Sequence, residues 1–286
     1  MQRLPPAAGV LALAALWGAS YLFIKVALHD FTPVFVSWLR LACGLAVVLP
    51  VAARAGVLHH LRGRGRHLLI VASLQIALPV TLVAVGELWI ASSLAGLLNA
   101  TVPLFVALLA PAVGQAEPMG GRRALGLVIG FAGVACIVGI DLGDNRNLLL
   151  GAACLTLSSL GYALGNLTGK RYLSDVPPLA IVAGLLATAA VLTAPLALAG
   201  LPSHAPGLRP VAAVLALGAA GTGLAYLLYY GVMLRIGPAR TSLVAYLIPL
   251  FAIAYGVVLL HEPLTAGLAA GMPLVLAGCW LAGRRA

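Results

Sequence analysis

The stretch "LLHEPL" at Leu259–Leu264 has a counterpart, "GQAEPM" at Gly114–Met119, half a chain earlier. Only seven of the 286 residues are acidic, and two of these form the pairs Glu117-Pro118 and Glu262-Pro263. The two glutamates are 145 positions apart, and each pair lies between long apolar runs. So rare a pair, repeated at half the chain length, indicates that a larger unit is repeated around it.

A shift of 145 positions aligns the two halves of the chain. The shift places Trp17 on Tyr162, Lys25 on Lys170, Pro33 on Pro178, Pro50 on Pro195, Gly86 on Gly231, Gly126 on Gly271 and Gly133 on Gly278. Each Pro of a Glu-Pro pair can begin the next helix, where its missing N–H is not needed. Each Glu would then lie near the positive end of that helix. We therefore expect the Glu-Pro pairs to be caps of the helices that follow them.

The composition is that of a protein embedded in a membrane. The chain is 62% hydrophobic and only 8% charged, with a mean hydropathy of +1.09, whereas soluble domains carry about 25% charged residues. The four cysteines, Cys43, Cys136, Cys154 and Cys279, all lie in apolar runs without metal-ligand spacing. We expect them to be buried small hydrophobic residues, and we expect no metal and no cofactor.

Ten apolar runs are about long enough to cross a bilayer as helices. They cover residues 7–28, 33–53, 68–87, 91–113, 124–140, 148–169, 178–200, 211–234, 241–260 and 264–283. We interpret the first run as a retained helix rather than a signal peptide, because it contains Trp17 and Lys25. The sequence thus predicts an all-α polytopic membrane protein with two five-helix repeats, residues 1–143 and 144–286.

The distribution of basic residues predicts the orientation. If the N-terminus is cytoplasmic, thirteen Lys and Arg residues fall in cytoplasmic segments, and only Arg146 and Arg209 fall in outer ones. Positive residues favour the cytoplasmic side, so we expect both termini in the cytoplasm. The net charge of +10 then reflects topology and contact with anionic lipid, and we expect no nucleic-acid partner.

Five crossings per repeat is an odd number, so two tandem copies must cross the membrane in opposite senses. Inverted repeats are a recurring plan of secondary transporters, which bind substrate near the membrane midplane between the repeats. The sequence therefore predicts a carrier that rocks one repeat against the other. Neither the oligomeric state, for which a monomer suffices, nor the substrate follows from the sequence.

Several motifs resemble the EamA-like family of the drug/metabolite transporter superfamily. They are "LWGASYLFIKVAL" (Leu16–Leu28), "WLRL" (Trp38–Leu41), "SSLAGLLNATVPLFVALLA" (Ser92–Ala110), "GYALGNLTGKRYL" (Gly161–Leu173), "RTSLVAYLIPLFAIAYGVVLLHEPL" (Arg240–Leu264) and the two Glu-Pro turns. This resemblance covers essentially the whole chain. It implies a bacterial inner-membrane exporter of amino acids or other small metabolites, with a central cavity lined by the first four helices of each repeat.

Polar and aromatic residues within the spans are the candidates for lining this cavity. Trp17, Tyr21 and Lys25 share one helix face because they are four positions apart, and Tyr162, Asn166 and Lys170 share the matching face of the second repeat. Interface anchoring and snorkelling are the structural alternatives for these residues. The other candidates are Gln75, Asn99, Tyr226, Tyr229, Tyr230 and Tyr246, for which hydrogen bonding between helices is the alternative.

Arg40 and Glu87 are the charged candidates. An arginine inside a span costs about 2.5–3.5 kcal/mol on insertion scales and usually faces a wet cavity; the structural alternative is pairing with Asp30 or Glu87. A positive cavity without an in-span carboxylate favours zwitterionic or anionic substrates over cations. Glu87, near the outer end of its span, is the candidate proton site. Facilitated diffusion is the preferred expectation, because proton sites normally lie near the midplane.

Other classes of function are less well supported. The chain contains no HExxH and no GxSxG motif, and "DLGD" at Asp141–Asp144 lacks the partner that an intramembrane aspartyl protease needs. "GNLTGKR" at Gly165–Arg171 has the wrong spacing for a P-loop. We therefore expect no enzymatic activity. A multidrug exporter and a passive channel remain open; saturation and trans-stimulation distinguish a carrier from a channel.

The orientation can be tested by labelling single cysteines in intact cells with a membrane-impermeant maleimide. In a variant without the native cysteines, a cysteine at position 204 should be labelled and a cysteine at positions 62–66 should not. Cells permeabilised before labelling should modify both positions. The reverse pattern in intact cells would show that the termini lie outside.

Overall fold

The computed structural model describes residues 5–113, 120–142, 146–202 and 204–283, and within these ranges the chain forms helices and no strand. The Glu117-Pro118 pair lies outside the described residues. The predicted boundary between the repeats, at residues 143 and 144, also lies outside them.

Ten helices follow one another along the described ranges. We number them α1 (Pro6–Ala27), α2 (Pro33–Arg54), α3 (Gly65–Gly86), α4 (Ser92–Leu109), α5 (Gly121–Leu142), α6 (Arg146–Tyr172), α7 (Pro178–Ala199), α8 (Leu208–Ile236), α9 (Val244–Leu259) and α10 (Ala266–Gly283). In this part of the chain all but α9 have the length and hydropathy to cross a membrane. The predicted ten-helix membrane protein is confirmed.

The ninth helix is shorter than predicted. A separate helical turn, Pro238–Thr241, comes first, and α9 then runs for 16 residues. Shorter turns also occur at Val57–Leu61, between α2 and α3, and at Pro111–Val113, after α4.

Prolines begin several of the helices. Pro33 and Pro178, which the repeat aligns, are the first residues of α2 and α7, where a missing N–H costs no hydrogen bond. Thr32 caps α2 by accepting a 3.4 Å hydrogen bond from the Phe35 amide. Its hydroxyl also donates to the Gly200 carbonyl, 3.1 Å away at the end of α7. The cap of one repeat is thereby joined to the other repeat.

Two helices contain π-helical segments at matching positions of the repeats. These segments are Ser73–Ala77 in α3 and Ala219–Leu224 in α8, and the 145-residue shift makes them overlap. π-Helical turns leave backbone groups without their usual partners and are frequent at functional sites. They contain Gln75 and Thr222, both of which make contacts between helices.

Helix α4 is interrupted between Asn99 and Val102. Pro103 cannot donate a hydrogen bond to the carbonyl one turn earlier, so the helix opens here. The hydroxyls of Thr101 and Ser159 donate to the Leu98 carbonyl, at 2.7 and 3.3 Å. These side chains supply hydrogen bonds to the backbone in a place where the bilayer offers none.

The packing of α5 on α10 shows the inverted relation of the repeats. A Cβ at Gly126 would lie 2.8 Å from the Gly278 carbonyl oxygen, and a Cβ at Gly133 would lie 3.0 Å from that of Gly271. The helices are antiparallel, because the numbers rise along α5 while they fall along α10. The 145-residue shift converts one contact into the other, as an in-plane two-fold axis requires. Small residues here let the two backbones touch.

The other helix contacts have the same symmetry. Across the axis, α2 packs on α7 and α4 packs on α9. Helix α1 packs on α8 and α9, while its counterpart α6 packs on α3 and α4. The first four helices of each repeat therefore form the body of the protein, and the α5–α10 pair packs against α4.

Two aspartates that the repeat aligns tie connecting segments together. Asp175, between α6 and α7, accepts two hydrogen bonds from Arg64, between α2 and α3, one of them 2.9 Å long. The Arg64 guanidinium lowers the pKa of the exposed Asp175 carboxyl. Asp30, between α1 and α2, accepts a 2.6 Å bond from the Gly207 amide, between α7 and α8. Because the repeats are inverted, the two ties lie on opposite faces of the membrane.

The close approach of α5 and α10 predicts a large difference between two glycine substitutions. In Gly278→Ala, on α10, the new methyl group would collide with the backbone of Gly130 on α5. A methyl group at Gly139, near the end of α5, would have no neighbouring atom within 4 Å. We expect Gly278→Ala to destabilise the protein by about 1–3 kcal/mol. Gly139→Ala should be neutral or stabilising. Thermal unfolding in detergent micelles measures both, and equal effects would contradict the packing.

Candidate functional site

Arg40 of α2 is the central charged residue between the repeats. Its Nε donates a 2.8 Å hydrogen bond to the Thr222 hydroxyl in the π-helical segment of α8. Thr222 in turn donates to the Leu217 carbonyl, at 3.1 Å. Among the described residues Arg40 forms no ion pair with Asp30 or Glu87, so the predicted structural pairings are wrong. Asp30 is held instead by the Gly207 amide.

Three tyrosines lie within electrostatic range of the Arg40 charge. The guanidinium interacts electrostatically with Tyr21 of α1, Tyr162 of α6 and Tyr226 of α8. The structure thereby brings four predicted site residues from both repeats together. Arg40 is only partly buried and uses one donor for Thr222, so the rest of its planar guanidinium can bind a carboxylate in a bidentate manner.

A chain of hydrogen bonds links three helices beside this group. Asn99, at the interruption of α4, donates a 2.8 Å bond to the Tyr21 hydroxyl. Ser159 of α6 donates to the Asn99 side-chain oxygen at 3.3 Å. The chain fixes the Tyr21 hydroxyl and leaves its own O–H free to donate to a ligand.

The aromatic candidates extend the site along α1 and α8. The ring centroid of Trp17 lies 6.1 Å from that of Tyr226 and 5.5 Å from that of Tyr229. Tyr230 is partly buried and packs toward the apolar cluster between α3 and α7. Trp17 and Tyr226 therefore form an aromatic wall next to Arg40.

The remaining polar candidates bond to other helices. Gln75 donates a 2.9 Å hydrogen bond to the exposed Asn166, and this joins α3 to α6. The Tyr246 hydroxyl donates to the Cys279 carbonyl of α10, at 3.3 Å. Lys170, at the end of α6, is exposed. Hydrogen bonding between helices, the structural alternative, accounts for Gln75, Asn166 and Tyr246.

A second group of charges lies where α3 ends and α4 begins. Lys25 of α1 donates to the carbonyls of Glu87 and Ile90, at 2.6 and 2.9 Å. These carbonyls follow the end of α3, where the helix dipole attracts a cation. Lys25 therefore anchors the turn between the two helices, which is a structural role that the sequence left open.

Glu87, predicted as the last residue of its span, directly follows α3, and its side chain is 0% exposed. Neither carboxyl oxygen has a hydrogen-bond partner among the described residues. Burial raises the pKa of this carboxyl well above its usual range, and the charge of Lys25 opposes the rise. The carboxyl group is enclosed by protein, because the α3–α4 turn packs against α1 and α6.

Glu262 caps a helix of the other repeat. Its carboxylate accepts hydrogen bonds from the amides of Ser92 and Ser93, at 2.7 and 2.9 Å, which are the first residues of α4. The prediction that it caps the following helix is wrong. Helix α10 begins only at Ala266, and Thr265 accepts a 3.1 Å bond from the Leu268 amide there.

Sequence reasoning missed three residues of these groups. Thr222 and Ser159 are small hydroxyl residues in apolar runs, and such residues usually bond to their own helix. Glu262 was recognised as a cap but assigned to the wrong helix. The sequence signal for that contact is the 145-residue repeat. It makes α4 and α9 equivalent helices, which pack on each other across the axis.

Comparisons with known proteins agree with this architecture. Residues 5–139 and 149–284 each match the EamA-like transporter family. An uncharacterized inner membrane transporter, YedA of Escherichia coli K12, is 28% identical over 92% of this chain and 86% of its own length. A probable amino-acid metabolite efflux pump of Salmonella typhimurium is 24% identical over 96% of this chain and 93% of its own.

A solved crystal structure shares the fold. It superposes with a TM-score of 0.70 over 97% of this chain and 96% of its own, at 19% sequence identity. Because the family match covers both halves of a multi-pass, ten-helix chain, this protein belongs to the EamA-like transporter family.

Proposed function

We propose that the protein exports small zwitterionic or anionic metabolites, amino acids first among them, across the inner membrane. The observation that carries this proposal is Arg40, a partly exposed cation between the repeats that, within the described ranges, has a hydroxyl as its hydrogen-bond partner and no carboxylate within ion-pair distance. A positive charge in a medium of low dielectric attracts a substrate carboxylate and repels a net cation.

The surrounding residues suit the rest of such a substrate. The Tyr21 hydroxyl, which accepts from Asn99, can donate its O–H to a hydroxyl or carboxylate oxygen of the substrate. Trp17 and Tyr226 supply an aromatic wall for an apolar side chain. The printed name of the Salmonella relative, a probable amino-acid metabolite efflux pump, supports the same substrate class.

Transport would proceed by alternating access, with both termini in the cytoplasm. The two repeats have symmetric contacts across an in-plane axis, so one arrangement open to each face is accessible at similar energy. Membrane lipid and the substrate are the partners that this function requires. The aspartate ties on opposite faces are the contacts that would break alternately.

Counterflow of radiolabelled amino acids into proteoliposomes tests the proposal. The wild type should show saturable, trans-stimulated exchange, which a channel does not show. Arg40→Gln should lower the apparent affinity about ten- to hundred-fold, because a charge-assisted hydrogen bond contributes about 1.5–3 kcal/mol.

Arg209→Gln is the matched control, since Arg209 is an exposed arginine at the start of α8 and its loss should leave exchange unchanged. Thermal unfolding should show that both variants are folded. Protection of cells against cationic dyes, without exchange of any amino acid, would instead identify a multidrug exporter and reject this substrate class.

A further inference from the structure

Unpartnered polar atoms are concentrated where the two repeats meet at the start of α4. Among the described residues neither carboxyl oxygen of Glu87 has a hydrogen-bond partner, and the same holds for the hydroxyls of Ser92 and Ser93. All three side chains are buried, at 0%, 0% and 1% exposure. Buried polar groups are normally hydrogen-bonded, so this arrangement indicates a site whose occupant is a proton, an ion or water.

The charges around Glu87 come from three directions. Lys25 of α1, Arg40 of α2 and Glu262 of the α9–α10 connection all interact with it electrostatically, as does the Tyr21 hydroxyl. On the α6 side, the titratable residue that lies against Gly86, the last residue of α3, is Cys154. With Glu87 neutral, Lys25 and Arg40 face one carboxylate, that of Glu262; with Glu87 ionised, the two cations face two carboxylates, which repel each other.

Lys25 is poorly placed to compensate a second carboxylate. Two of its three donors are used by the carbonyls of Glu87 and Ile90. The amides of Ser92 and Ser93 are used by Glu262. An ionised Glu87 would therefore compete with Glu262 for the positive end of α4 and would repel its carboxylate.

We propose that Glu87 carries an exchangeable proton and that release of this proton loosens the Glu262 cap on α4. The proton passes from the Glu87 carboxyl to water and returns from water, and no other bond changes. The cap is a direct hydrogen-bonded contact between the repeats, so proton binding is linked to closure of the face that carries it. This inference rests on the proposed transport function and adds its coupling ion. It is an alternative to the facilitated diffusion that the sequence favoured.

The geometry provides access for solvent beside the cap. A cavity of about 210 Å³ is lined by Ser93 of α4, Pro263 next to the capping glutamate, and Trp89 of the α3–α4 turn, among others. Gly256 of α9 leaves room for the Glu262 carboxylate, because a methyl group there would collide with it. Loosening of the cap would join this cavity to the unpartnered hydroxyls.

The sign of the pH dependence follows from burial. The raised pKa of Glu87 means that the closed arrangement binds the proton more tightly than an open, hydrated arrangement does. Closure is therefore fully favoured below the ordinary carboxyl pKa of the open arrangement, weakens as the pH rises toward the raised pKa, and changes no further above it.

Hydrogen–deuterium exchange of the purified full-length protein tests the linkage without any substrate. The readout is protection of the Ser92 and Ser93 amides, corrected for intrinsic exchange at each pH. In the wild type we expect protection to fall by up to about tenfold per pH unit between the ordinary carboxyl pKa of the open arrangement and the raised pKa of the closed one, and to level off above that. Glu87→Gln, a permanently neutral mimic, should stay protected throughout. Glu262→Gln should show low protection at every pH.

Asp141→Asn is the control, because it removes a carboxylate from the end of α5 that belongs to neither the cap nor the aspartate ties, and it should keep the wild-type profile. A wild-type profile that is flat with pH contradicts the proposal by itself, even if a variant does not fold. A sloping profile that is the same in Glu87→Gln also contradicts it, because the titrating group would then lie elsewhere.

Proteoliposomes separate this inference from the proposed function. Glu87→Gln should retain amino-acid counterflow but lose accumulation driven by a pH gradient, which the wild type should show. Wild-type counterflow that is indifferent to the gradient overturns the proton linkage and leaves the proposed function standing. An absence of counterflow for any amino acid overturns the proposed function, while the exchange experiment still decides whether Glu87 controls the cap.

Discussion

The constraint on which the structure depends is an odd number of membrane crossings in each repeat. Five crossings place the second copy upside down, so every contact between the copies must agree with an in-plane two-fold axis. The α5–α10 glycines satisfy this condition, since the axis converts the contact of Gly126 with Gly278 into the contact of Gly271 with Gly133. A hydrocarbon surrounding gives no hydrophobic drive for helices to associate. Close packing of small residues and hydrogen bonds such as those of Asp30 and Asp175 therefore hold the two copies together.

The charged candidate residues lie at positions where the two repeats differ. The 145-residue shift places Arg40 on Leu185 and Glu87 on Val232, so the second repeat has neither charged group. Lys25 has a counterpart in Lys170, but Lys170 is exposed at the end of α6, whereas Lys25 holds the carbonyls after α3. The first repeat thus supplies Arg40, Glu87 and Lys25. The second supplies Thr222, which accepts a hydrogen bond from Arg40, and Glu262, whose charge opposes that of Glu87. Duplication provides two similar orientations, and in the proposed function divergence provides the substrate site.

The sequence predicts the scaffold well because composition and periodicity are local properties. The ten helices and the inverted repeat follow from apolar length, the Glu-Pro pairs and an odd count. The side-chain partners do not follow. Pairing of Arg40 with Thr222 depends on a π-helical segment in α8, and capping by Glu262 depends on which helix end lies opposite it. Burial of Glu87 depends on how the α3–α4 turn folds against α1. Each of these is set by packing between segments far apart in the chain, which one sequence does not specify.

The most direct test of the account is a pair of distance measurements on one protein in nanodiscs. Spin labels at His59 and Ser174 report on one face, and labels at His29 and Leu201 report on the other; all four residues are exposed and lie outside the helices α1–α10. Double electron–electron resonance spectroscopy would measure both distances with and without saturating amino acid. Rocking of inverted repeats predicts that one distance lengthens while the other shortens. Lengthening of both distances together, as in a channel, or no change in either would contradict the account.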